Sequence, residues 1–404
     1  MLKCGLLGEK LGHSYSPQIH SRLGDYEYKL YEKDPSDVED FLKNGDFHGL
    51  NVTIPYKKTV FPYMDQVSDA AKATGSINTI VRRPDGTLYG DNTDVYGFAA
   101  MLRYAGIDVN GAKALVLGSG GASAAVCFAL KGLNCTPVII SRSGENNYDN
   151  LHLHQDAEII VNTTPLGMYP HNGVSPVDLT LFPSCRGVVD VVYNPARTQI
   201  ILQAEELGIP CISGLYMLVA QAKRSSEQFM DKPIEDSRIG QIYETLSMSM
   251  QNIILIGMPG VGKTTTAKKL RKVTGREVFD ADKEFTKQYG RTPSDVIKQD
   301  GEAVFRDMEH EIVCELGKKS GVIIATGGGV VTRPENYPVL HQNGVIVWLK
   351  RDIFSLPTNN RPLSQQTSLT DMYAKREPLY TSFADRVVDL DEKGSLGSFI
   401  DSLS

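Results

Sequence analysis

Ala114-Leu-Val-Leu-Gly118-Ser-Gly-Gly-Ala122 and Ile253-Ile-Leu-Ile-Gly257-Met-Pro-Gly-Val-Gly-Lys263-Thr264 decide the fold class of this chain. In each, a short apolar run of buried-strand type meets a glycine turn that opens into helix-forming sequence. That setting aims backbone N–H groups and a helix N-terminus at phosphate. The first turn has no lysine and suits a dinucleotide, with Gly118, Ser119, Gly120, Gly121 and Ala122 as its cradle. The second has the lysine and hydroxyl that a triphosphate with Mg2+ requires. Its cradle is Gly260, Val261, Gly262, Lys263, Thr264 and Thr265, with Lys263 on the β- and γ-phosphates and Thr264 on the metal. Two cradles of different type imply two active sites.

Outward from these turns, strand-like runs alternate with helical sequence: Pro137–Ile140, Glu158–Val161 and Gly187–Val192 around the first, then Glu277–Phe279, Val322–Ala325, Val345–Leu349 and Arg386–Leu390 around the second. Such alternation predicts parallel sheets covered by helices, an α/β fold twice over. A chain of 404 residues is long enough for two or three domains. The boundary is expected at Ser247-Met-Ser-Met-Gln251, a short polar link after the helical stretch Ile239–Leu246, so that each half should work alone.

The net charge of −6, without a long basic run, argues against a nucleic-acid partner. Six scattered cysteines indicate neither a zinc site nor a disulfide framework, which favours a reducing compartment. The N-terminus breaks into charge too early for a signal peptide. The longest uncharged stretch, Ala114 to Leu130, is rich in glycine and serine and reads as strand–turn–helix rather than a membrane span. A cytoplasmic enzyme of small molecules is expected. The oligomeric state stays open, a homodimer among the options.

Residues 1–246 carry a polar series: His13-Ser-Tyr-Ser-Pro17, Gly49-Leu-Asn-Val-Thr53-Ile-Pro-Tyr-Lys57, Gly75-Ser-Ile-Asn78-Thr79 and Gly90-Asp-Asn-Thr-Asp94. Further on come Asn162-Thr-Thr-Pro-Leu-Gly-Met168, Asp190-Val-Val-Tyr193 and Gly214-Leu-Tyr-Met-Leu-Val-Ala-Gln221. Taken singly, each reads as a turn or helix cap. In this order and spacing they resemble the shikimate dehydrogenase family. The resemblance implies an α/β substrate domain (1–100 with about 215–246), a Rossmann NADP-binding domain (101–214), and reduction of 3-dehydroshikimate to shikimate. It makes Lys57 the general acid with Asp94 paired to it. Ser14, Ser16 and Tyr193 would meet the substrate carboxylate, and Thr53, Asn78 and Gln221 its ring hydroxyls. Gly214 would join the cofactor contacts. After the second strand of the dinucleotide fold stand Ser141 and Arg142, and an arginine there suits the 2′-phosphate of NADP(H).

Past residue 250, the stretches Phe279-Asp280-Ala-Asp282, Gly301-Glu-Ala-Val-Phe-Arg306-Asp-Met-Glu309, Thr326-Gly-Gly328-Gly, Arg361-Pro-Leu and Arg376-Glu-Pro-Leu-Tyr380 resemble shikimate kinase. That resemblance implies a P-loop kinase domain over 250–404 with a five-stranded parallel sheet. Asp282 would be the base on the substrate hydroxyl and Asp280 would support Mg2+. Arg306, Arg376 and the Gly328 N–H would hold the substrate carboxylate, and Arg361 would come from a lid onto the phosphates of ATP. The segment Lys350–Asn360 is shorter than the lid such kinases usually carry. The expected whole is a fused enzyme for two consecutive steps of aromatic biosynthesis. Its rivals are a quinate-active, NAD-linked dehydrogenase half and a nucleotide-binding regulatory protein with inactive sites.

Overall fold

The computed structural model describes residues 1–12, 14–356 and 369–403. Arg361, residues 357–360 of the segment before it and His13 therefore lie outside the described residues. The chain divides into two compact units: Met1–Met168 with Val174–Tyr193 and Ile200–Thr245, and Leu246–Ser404 with the short pieces Tyr169–Gly173 and Asn194–Gln199.

The first unit holds two sheets. Strands β1 (Lys3–Gly8), β2 (Glu27–Glu32), β3 (Gly49–Val52), β4 (Gln66–Val67), β5 (Thr79–Arg82) and β6 (Leu88–Asp91) form a mixed sheet in the order β2-β1-β3-β5-β6-β4. Leu7, Leu50, Val52, Tyr56, Ile77 and Ile80 fill its core. Strands β7 (Lys113–Leu117), β8 (Thr136–Ile140), β9 (Ile159–Asn162), β10 (Gly187–Asp190) and β11 (Cys211–Ile212) form a parallel sheet in the order β11-β10-β9-β7-β8. The chain leaves β7 to one side for β8 and returns past it to β9. The first glycine turn thus sits at the carboxyl end of the strand where the order reverses, the place where open α/β sheets bind ligands.

The second unit repeats that logic. Strands β12 (Asn252–Ile256), β13 (Val278–Asp280), β14 (Ile323–Ala325), β15 (Gly344–Lys350) and β16 (Arg386–Asp389) form the expected five-stranded parallel sheet, ordered β13-β14-β12-β15-β16. The second glycine turn follows β12, again the strand at the reversal.

The segment read as a polar link is helical. One helix runs from Ser237 to Met250, and β12 begins at Asn252. Ile239, Ile242, Leu246 and Met250 are all buried, an apolar stripe at helical spacing that continues through the serines. The two serines and the exposed Met248 gave the stretch its polar look; they occupy the other face.

Candidate active sites

Lys57 follows β3, and Asp94 opens the helix Asp94–Ala105 just past β6. The fold brings them together: Lys57 Nζ lies 2.8 Å from Asp94 Oδ2. Asn78, just before β5, donates from Nδ2 to Asp94 Oδ1 at 2.9 Å. The Asn78 oxygen is saturated, accepting from Thr93 N at 2.8 Å and from the Thr93 and Thr79 hydroxyls at 3.1 Å each. Three donors on one oxygen leave the Asn78 amide a single orientation, with an N–H to spare for a ligand.

These residues wall a cavity of about 380 Å³ together with Ser14, Ser16, Thr53, Tyr193, Gly214, Gln221 and Ala122. All eight residues expected on the substrate side are therefore in one place. Gln221 comes from the helix Leu215–Met230, which packs so close to the helix of Asp94 that a Cβ on Gly97 would stand 2.8 Å from Met217 O. Burial raises the Tyr193 phenol above its ordinary range, so it meets the cavity as a neutral hydroxyl. Asn51 also lines the cavity and was not singled out beforehand. The available signal was a buried amide inside an apolar strand.

The dinucleotide turn has the form its ligand needs. Gly118 has φ +108°, and a Cβ there would meet Thr163 Oγ1 at 2.9 Å, so only glycine fits. Gly120 caps the helix Gly121–Gly132, and nothing stands within 4 Å of where its Cβ would be. The turn's helix N-terminus is thus open for a phosphate to approach. Ser141 and the exposed Arg142 stand just beyond the end of β8, with Gly144 folded back against the Ser141 hydroxyl.

In the second unit, Gly260, Gly262, Lys263, Thr264, Thr265, Asp280 and Asp282 line a cavity of about 310 Å³. Lys263 Nζ donates to Gly257 O at 2.7 Å and Met258 O at 3.1 Å, spanning its own loop. The Thr264 hydroxyl donates to Asp280 Oδ2 at 2.9 Å. A hydroxyl and a carboxylate converging beside a phosphate cradle are the hard oxygen donors that Mg2+ takes.

A larger cavity of about 760 Å³ adjoins it, sharing Pro259, Asp282 and Gly328. Arg306 and Arg376 both line it. Arg376 donates to Gly328 O at 3.2 Å, and the buried Tyr380 hydroxyl bonds the same carbonyl. Arg306 is gripped by Glu309 at 2.6 Å and Glu302 at 2.8 Å. Glu309, missed in the sequence although three residues from Arg306, is almost fully buried. Burial pushes its carboxyl above the ordinary range against the pull of Arg306. Asp282 thus lies where the two cavities meet, facing both the cradle and the arginines.

Residues 259–401 match the family model for shikimate kinase, and residues 6–80 match that for the shikimate dehydrogenase substrate binding domain. Over 264 residues the chain is 35% identical to the shikimate dehydrogenase (NADP(+)) of Clostridium perfringens, an overlap covering 60% of this chain and 97% of the relative. Among solved structures, a chorismate mutase/shikimate 5-dehydrogenase fusion protein from Clostridium acetobutylicum aligns at 36% identity and TM-score 0.58, covering 61% of this chain and 97% of that one. The shikimate 5-dehydrogenase of Thermus thermophilus, solved with NADP(H) and shikimate, aligns at 28% identity and TM-score 0.55 over 61% of this chain and 99% of its own.

Proposed function

The chain belongs to the shikimate dehydrogenase family and carries a shikimate kinase domain behind it, and from that premise we propose that it reduces 3-dehydroshikimate with NADPH and then phosphorylates the 3-hydroxyl of the shikimate formed with ATP. The observation that carries this reading is the Lys57–Asp94 pair inside a cavity walled by hydroxyls and amides. NADPH, when bound, supplies the hydride. Negative charge then grows on the carbonyl oxygen, and Lys57 Nζ delivers the proton. Asp94 holds Lys57 in place and accepts a neighbouring ring hydroxyl. Ser14, Ser16 and Tyr193 donate to the carboxylate, while Thr53, Asn78 and Gln221 bond the ring hydroxyls. A dense polar wall fits a polyhydroxylated acid, because each buried polar group left unpaired costs about 1–3 kcal/mol.

In the second unit ATP, when bound, supplies the phosphoryl group. Lys263 leaves its own loop carbonyls for the phosphates, and Thr264 with Asp280 would hold Mg2+. Asp282 accepts the proton of the attacking hydroxyl, and Arg306 and Arg376 hold the carboxylate through paired hydrogen bonds. The protein incubated with 3-dehydroshikimate, NADPH, ATP and Mg2+ should yield shikimate 3-phosphate. NADPH left unconsumed would sink the dehydrogenase role, and shikimate accumulating without its phosphate would sink the kinase role.

A further inference from the structure

Four hydrogen bonds run in one direction through the first unit and end on Asp94. The Tyr28 hydroxyl donates to Asn51 Oδ1 at 2.8 Å. Asn51 Nδ2 faces Thr79 Oγ1 at 3.4 Å, and Thr79 Oγ1 donates to Asn78 Oδ1 at 3.1 Å. Asn78 Nδ2 donates to Asp94 Oδ1 at 2.9 Å, and Lys57 meets the other oxygen of that carboxylate. Each amide in the series must point its oxygen toward Tyr28 and its nitrogen toward Asp94.

The two amides are held very differently. Asn78 keeps its orientation through Thr93 whatever happens upstream. Asn51 takes its shortest hydrogen bond from Tyr28 at 2.8 Å; its contacts to Thr79 and to Asn78 O, at 3.4 and 3.5 Å, are at the long limit, and the His20 side chain also interacts with it. Asn51 and Ser16 both line the substrate cavity, and the Tyr28 side chain interacts with each. The Tyr28 ring is itself fixed, stacked on His20 at 3.9 Å with 9° between the planes. His20 is buried and bonded to the Tyr26 hydroxyl at 2.6 Å and to Ser226 at 3.1 Å.

Resting on the dehydrogenase reading above, we propose that Tyr28 is a positioning residue for the 3-dehydroshikimate site. Its hydroxyl fixes which edge of the Asn51 amide meets the cavity, presenting N–H donors to the hydroxyl oxygens of the ring. Because Asn78 is pinned independently, the effect belongs to substrate binding and leaves the Lys57–Asp94 pair in place.

Tyr28→Phe keeps the ring on His20 and removes only the hydroxyl. It should raise the KM for 3-dehydroshikimate roughly five- to tenfold, the worth of one hydrogen bond, with kcat within about twofold. Tyr26→Phe removes a hydroxyl from the same buried cluster away from the cavity, and should lower the melting temperature without moving KM. In an Asn51→Ala background, Tyr28→Phe should add less to KM than it does in the wild type. An unchanged KM in Tyr28→Phe, an equal rise in Tyr26→Phe, or full additivity with Asn51→Ala would each overturn the assignment. Wild-type protein that fails to reduce 3-dehydroshikimate at all would instead remove the reading beneath it.

Discussion

The first unit holds one oxygen of its reactive carboxylate with Lys57 and the other with a neutral amide, while the second holds its arginine with charges alone. Asp94 is fixed by the amide of Asn78, whose oxygen is in turn fixed by Thr93 and Thr79. Arg306 is fixed by Glu302 and the buried Glu309. The amide and hydroxyls that support Asp94 keep their geometry whether or not a ligand is present, since none of them needs a counter-ion. A guanidinium held by two carboxylates is already neutralised, and an incoming substrate carboxylate must share it. The two sites should therefore answer differently to the loss of a single group.

The largest contrast is expected at the reacting groups. Lys57→Ala should lower the reduction rate by about 10²–10⁴, the usual span of positioned proton transfer, and leave the kinase reaction near wild type. Asp282→Asn should lower phosphorylation by about the same factor with nucleotide affinity nearly intact, because this side chain lies at the acceptor side of the cradle. Separate NADPH-linked and ATP-linked assays on each variant check both. A Lys57 variant that keeps most of its rate, or an Asp282 variant that loses ATP affinity, would remove the residue from its role.

Next in size is Arg306. Arg306→Met should raise the shikimate KM about 10–100-fold through the lost charge-assisted bonds. It should also destabilise the kinase domain by about 3–5 kcal/mol, because Glu309 becomes a buried carboxyl without its partner. The double variant Arg306→Met/Glu309→Gln should recover much of the stability and none of the substrate affinity. Recovery of both would show that the pair serves the fold alone.

Much of this was legible in the sequence, for a physical reason. Parallel strands are buried on both faces, so β7, β9, β12 and β15 read as unbroken apolar runs, and phosphate turns need glycine where a Cβ would collide, as at Gly118. What escaped was set by partners distant in sequence. Tyr28 meets Asn51 across 23 positions, and nothing in either local pattern announces the bond. The helical state of the segment escaped because Ser247 and Ser249 resemble a link, while the helix is decided by Ile242, Leu246 and Met250 four residues apart. That has a consequence for cutting the chain. Arg276 donates to Met248 O at 2.6 Å and to Gln251 O, and Leu246 is buried. A kinase fragment beginning at Met250 loses the Leu246 side chain and one acceptor of a half-buried guanidinium. It should be less stable than one beginning at Ser237 by about 3–6 kcal/mol, from about 1.5–3 for the leucine and a similar amount for the bond. Equal urea midpoints for the two fragments would show that the kinase domain needs nothing before Met250.

The smallest expected effect is the one that separates the two units by sign. His20 is buried and its pKa is pushed down by that burial to about 3, from an ordinary 6.5. A histidine depressed in the folded state contributes stability above its unfolded pKa and loses it as pH falls, because only the unfolded chain takes up the proton. Between pH 7.5 and 4.5 the first unit should lose about 2–3 kcal/mol through this group. Glu309 is shifted the other way, raised by burial. A carboxyl raised in the folded state stabilises below its unfolded pKa near 4.5 and loses that contribution as pH rises, so acidification over the same window favours the second unit. Hydrogen exchange read on peptides from β5 and from β14 at pH 7.5 and 4.5 follows each unit by itself. Protection should fall for β5, and His20→Gln should flatten that fall; Glu309→Gln should remove the opposing contribution at β14 without touching β5. A β5 response unchanged by His20→Gln would mean that some other group titrates there, and the contrast between the two units would lose its clearest thermodynamic mark.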